Sequence, residues 1–256
     1  MVSHGAKVLG IDVDADVLDR WCGWLMPAEQ PFLFPPEVAD AAGLADDRER
    51  LSFELRDTFW LYDVGDRAVC WLTRAESRHV PPDVRRDQPA AHRWPSADHA
   101  HDVARVVRFV EEGRRRSRHA EVPEETWATA SRVLPAARDL AGTFPPASGP
   151  NCFGTVMGAA DVAGAAGTWM QREPFEEWLA VSTRPGGRDD EAGTVLVWRD
   201  ANQAVQHAAI TIGDGWALHK PSQGWMSPTK VLSVRDAMLS ARTRGHRVQR
   251  RTLLGN

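Results

Sequence analysis

Lysine is scarce in this chain. Of 31 basic residues only Lys7, Lys220 and Lys230 are lysines, and arginine supplies the rest, a bias that reads as genome composition rather than chemistry. The net charge is −4, so no bulk positive field exists to draw nucleic acid, and no nucleic-acid partner is expected. Cysteine is equally sparse: Cys22, Cys70 and Cys152. An odd count without close spacing excludes a disulfide framework and a zinc knuckle, and a reducing compartment is the simplest reading. No apolar run reaches the length of a membrane helix. Residues 1–10 lack a basic stretch followed by an apolar one. A cytoplasmic protein with no membrane partner is therefore expected. There is no phosphate-binding glycine motif, no serine nucleophile elbow and no internal repeat.

What is present suits a folded chain. Its 256 residues, 43% hydrophobic and 26% charged, are enough for one large domain or two small ones with a real core. The segment at 144–150, rich in proline, serine and glycine, breaks the chain. It divides an N-terminal α/β segment (1–145), which could cap a cleft, from a C-terminal part (146–256). The same break also suits one domain whose chain merely turns there.

Local patterns predict the elements. Residues 12–25 have helical apolar spacing, as do 98–118, where Val103, Val106, Val107 and Val110 share a side. Residues 51–62 and 67–73 are read as two strands, joined by a hairpin turn at 64–66. Residues 80–96 read as an irregular loop. A helix is expected over 123–140, with Pro135 splitting or kinking it. After the break the order is helix (152–166), helix (175–182), three strands (194–198, 207–212, 216–219), helix (234–244) and a last strand (247–254). Helices followed by a run of strands make the fold class α+β.

One constellation carries chemistry. Cys152 opens a helix directly after Gly149-Pro150-Asn151. Unpaired N–H groups and the helix dipole favour a thiolate there. An imidazole nearby can take the thiol proton and later protonate a leaving group, and a second polar group can orient that imidazole. His207 starts a strand and His219 ends the next. If Asp214-Gly215 alone forms the turn, the two histidines point to opposite faces. If the loop is Gly213-Asp214-Gly215, residue 209 faces 219 and the histidines share a face, as diagonal neighbours roughly 7–8 Å apart. Gly215 supplies the positive φ that a three-residue loop wants, so the second register is expected.

These segments resemble a known family. Asn151-Cys152-Phe153-Gly154-Thr155-Val156 resembles the Asp-Cys-Ser-Gly-x-Val nucleophile motif of NlpC/P60 peptidases. Residues 192–198 resemble that family's Pro-Gly-Asp strand. Residues 206–215 resemble its histidine strand, and 216–219 resemble the strand that carries its third polar residue. The resemblance spans about 149–254. It implies a papain-like fold in which a helix bearing Cys152 packs on an antiparallel sheet bearing His207. Cys152 would attack, His207 would act as base and then acid, and His219 would orient His207. The implied activity is thiol-dependent hydrolysis of a small peptide-like or amide substrate, without cofactor. An acyl or peptidyl transferase with the same site, or an inactive binding module of that fold, are the alternatives. Asn151, Phe153 and Thr194 replace the family's aspartate, serine and aspartate, and Tyr62 is too distant to supply an oxyanion-hole tyrosine. These departures point away from classical peptidoglycan-peptide specificity. The N–H of Cys152 is the one oxyanion donor identified.

Asn151, Gln206 and Trp225 are candidate substrate contacts. No metal site is expected. His99 and His101 on a helix point about 200° apart and cannot chelate together. The alternating aspartates Asp12, Asp14 and Asp16 lack the glycine and glutamate of a calcium loop, since Val17 and Gly23 stand in those places. Cys22 and Cys70 sit among apolar residues and read as buried hydrophobes.

Overall fold

A computed structural model describes residues 5–254. The chain forms two compact units, one of residues 5–8 and 12–112, the other of residues 9–11 and 113–254. The division therefore falls at 112/113, not at the break near 145. Residues 122–140 belong with the second unit because Val122, Trp127, Ala130, Leu134 and Ala137 are buried in the same core as Cys152.

The first unit runs β1 (Ala6–Val8), β2 (Ile11–Val13, apart from Ile11), α1 (Ala15–Leu25), β3 (Glu29–Phe34), α2 (Pro36–Ala41), α3 (Phe53–Phe59), β4 (Ala68–Thr73), α4 (Pro82–Arg86) and α5 (His99–Glu111). Residues 51–62 are not a strand. Ser52 caps α3 by accepting from the N–H of Leu55, and Leu51, Leu55 and Phe59 fall at intervals of four on one buried side. The expected hairpin at 64–66 is absent for the same reason. β4 pairs instead with β3, Phe32 opposite Cys70. The segment 80–96 contains the short helix α4. α5 stops seven residues earlier than its periodicity predicts, and Gly113 takes a positive φ just beyond it.

The second unit holds α6 (Glu124–Ala130), α7 (Ala137–Leu140), α8 (Cys152–Ala159), α9 (Arg172–Ser182), β5 (Thr183–Pro185), β6 (Ala192–Arg199), β7 (Val205–Gly213), β8 (Trp216–His219), β9 (Lys230–Ser233), α10 (Val234–Ser240) and β10 (Arg247–Leu253). Pro135 splits the 123–140 pattern into α6 and α7, as its missing N–H requires. α8 and α10 are shorter than expected. The strands form an antiparallel sheet in the order β5-β10-β6-β7-β8-β9. The fold is α+β.

Alternation along the strands divides the core between the two sheet faces. Val195, Val197, Ala208, Ile210, Ile212 and Leu218 pack with α6 to α9. Leu196, Trp198, Ala209, Ala217 and Leu232 pack on the other face with Val234 and Ala237 of α10. Among the described residues no helix is long and apolar enough to cross a membrane.

Candidate active site

α8 is positioned by its own first residues and by close backbone contact. Asn151 is its N-cap: its Oδ1 accepts from the N–H of Gly154 at 3.0 Å, and its Nδ2 donates to the carbonyl of Met170 at 2.8 Å. Gly154 and Gly158 let the helix lie against the turn at 165–168. A Cβ on Gly154 would stand 2.3 Å from the carbonyl oxygen of Ala165, and one on Gly158 2.6 Å from the Ala166 side chain. Cys152 is thereby held at the first helical position, 8% exposed.

The main-chain N–H groups of Cys152, Phe153 and Ala208 act on its sulfur and favour the thiolate, and Lys220 adds a favourable charge. Burial outweighs them and pushes the thiol up to about 11. Among the described residues no hydrogen bond joins the sulfur to either histidine. The resting thiol is therefore protonated, and the depressed value expected of a helix-head cysteine is not realised in this state.

His207 and His219 come together. Their Nε2 atoms are 3.0 Å apart, with ring planes at 75°. The sheet register brings this about: Ile210 faces Leu218 and Thr211 faces Ala217, which is the expected pairing. The turn itself is tighter than expected. Gly213 pairs with Trp216 across a bulge, and Asp214 and Gly215 both take positive φ, as a two-residue turn demands. His207 stands opposite Trp198, their ring centroids 5.1 Å apart. The imidazole pair thus lies on the α10 face, whereas Ala208 packs on the α8 face with Cys152. The sulfur takes the N–H of Ala208, the strand residue next to His207.

Burial lowers the His207 pKa to about 4. His219, only 1% exposed, is held well below its ordinary value by burial, then by His207 and Lys230. Its Nδ1 has no hydrogen-bond partner.

The candidate substrate contacts fare differently. The Asn151 side chain is fully used in capping. Gln206 is exposed and donates to Asp200 at 2.8 Å. Trp225 is completely buried and offers no surface to a ligand. In the first unit, Asp98 caps α5 and His99 lies 2.9 Å from Asp19. Cys70 is buried and Cys22 partly so, and all three cysteines are free.

Sequence reading passed over Lys230, which is 2% exposed at the start of β9 opposite His219. Its signal was a lone lysine before an apolar Val-Leu pair in a chain with almost no lysine. No protein-family model, curated protein or solved structure matches the chain.

Proposed function

We propose that the second unit is a thiol-dependent amide hydrolase of papain-like, NlpC/P60 type, acting on a small peptide-like or amide substrate through a thioester. The observation that carries this reading is the thiol at the head of α8, with three N–H groups acting on its sulfur, one of them that of Ala208, whose chain neighbour His207 meets His219 at 3.0 Å. The Sγ proton passes to His207, whose ring must turn from Trp198 toward the Ala208 side to receive it, and the thiolate attacks the carbonyl carbon. The tetrahedral oxygen takes the N–H of Cys152. The C–N bond breaks, and the amine leaves with the proton from His207. Water, deprotonated by His207, then releases the acid. His219 keeps the His207 ring oriented. Free thiols and this chemistry suit the cytoplasm, and no cofactor enters the reaction.

A transferase using the same thioester is the second reading. It is favoured by the near-complete burial of Cys152, which shields an acyl-enzyme from water. Partitioning of the acyl group between an added amine and water separates the two.

The test is alkylation by iodoacetamide at pH 7.5, followed by peptide mass. Cys152 is expected to react at least tenfold faster than Cys70, and His207→Ala to remove that advantage. Equal rates at the two thiols would leave only a binding module.

A further inference from the structure

The first unit contains a cavity of about 490 Å³, open on one side, which is the size of a small-molecule pocket. Its walls are the start of the segment 77–94 around α4, the end of that segment, and Phe32 of β3. The lining holds two guanidiniums, Arg78 and Arg85, and no carboxylate. Asp83 and Asp87 flank Arg85 in sequence but do not line the cavity.

The aromatic wall is rigid. Phe32 and His92 lie flat on each other, ring centroids 3.7 Å apart and planes at 3°. Trp94 lies within 16° of the His92 plane at 6.4 Å. The Nε2–H of His92 donates to the Pro31 carbonyl at 2.9 Å, so both the face and the edge of that ring are fixed.

Most polar side chains of the lining are already spent. The Gln88 amide accepts from the N–H of Leu33 at 2.9 Å and donates to the carbonyls of Leu33 and Val84 at 2.9 and 2.8 Å. The Ser77 hydroxyl donates to the Arg74 carbonyl at 2.9 Å. Arg85 Nη2 donates to the carbonyls of Ser77, Arg78 and Val80 at 3.0, 3.1 and 3.3 Å. Those bonds fix the guanidinium without neutralising it, and its Nε and Nη1 are unspent. The Arg78 side chain makes no hydrogen bond or ion pair among the described residues. The donors left for a ligand are therefore cationic.

We propose that this cavity binds a small phosphate monoester bearing a planar ring, of the nucleoside monophosphate class, with Arg78 and Arg85 on the phosphate and the Phe32, His92 and Trp94 rings against the planar group. A phosphate monoester carries about −1.5 to −2 charge at pH 7, which two guanidiniums match, and guanidinium forks bond its oxygens in pairs. Flat apolar walls favour stacking of a planar ring over a bare anion. The site lies wholly in the first unit and is independent of the amidase reading.

The test is titration calorimetry on the full chain with the four ribonucleoside monophosphates, their nucleosides and inorganic phosphate. At least one monophosphate is expected to bind about tenfold or more tighter than its nucleoside and than inorganic phosphate. Arg78→Gln is expected to weaken that monophosphate about tenfold and leave its nucleoside unchanged, and Trp94→Ala to weaken both alike. Arg85→Gln also removes three carbonyl bonds, so Arg78→Gln, whose side chain holds nothing in place, decides the matter. No heat from any of the four, or an affinity that Arg78→Gln leaves unchanged, overturns the inference. So does inorganic phosphate that binds as tightly as the monophosphates, since the rings would then contribute nothing.

Discussion

The Nε2 atoms of His207 and His219 stand 3.0 Å apart, and a single proton must serve both. Two protonated rings would turn donor against donor and set two like charges side by side, with His219 buried. The pair is therefore neutral when folded, while each ring in the unfolded chain titrates near its ordinary value.

Acid lability follows. The folded His207 pKa, about 4, lies below the ordinary 6.5, so between those values the unfolded chain binds more protons than the folded one. Stability from this group is complete above pH 6.5 and is lost as pH falls toward 4, by roughly 3 kcal/mol in all at about 1.4 kcal/mol per pH unit. Urea midpoints measured from pH 7.5 to 4.5 are expected to fall, and the double variant His207→Gln/His219→Gln to flatten the decline. An unchanged slope in that variant would assign the lability elsewhere.

Asn151 is tested by the two halves of its side chain. Asn151→Ser keeps an acceptor for the Gly154 N–H and forfeits the donor to Met170. Asn151→Ala forfeits both and is expected to cost about 1–2 kcal/mol, the usual value of an N-cap with a buried bond added. Guanidinium melts of the two proteins should rank them in that order; an alanine variant as stable as the serine one would mean the cap contributes nothing.

Gly154 reports on the seat of Cys152. A methyl group there meets the Ala165 carbonyl at 2.3 Å, so Gly154→Ala must push α8 away from the 165–168 turn, at a cost of about 1–3 kcal/mol. Gly167→Ala, in the same turn but with open space around it, is the control and should leave the melting temperature within about 2 °C. Equal effects would show that the contact does not hold the helix.

The second unit was legible because its signals are local. A cap, a small-residue helix and three alternating strands each lie within a dozen residues, whereas the His207–His219 register depends on a bulge between Thr211 and Gly213 that the turn residues alone do not announce. The first unit was less legible. The interval of four linking Leu51, Leu55 and Phe59 fits strand alternation as well as helix, and Pro31 in β3 runs against strand preference although it sits in a two-stranded ladder opposite Trp71. The division between units was misplaced because a proline-rich break marks a turn in the chain and says nothing of which core the preceding residues enter.

The sequence by itself determined the chemical inventory: a cysteine at a helix head, two histidines on successive strands, the α+β order and the capping asparagine. Only the tertiary structure decided the protonation of that inventory. It set the thiol among apolar atoms, placed the imidazoles across the sheet from it, spent Asn151 on a carbonyl nineteen residues away and stripped water from Lys230 opposite an open nitrogen. Propensity acts between near neighbours along the chain. Desolvation and buried hydrogen-bond partners depend on residues far apart in sequence, and so they exist only once the chain has closed on itself.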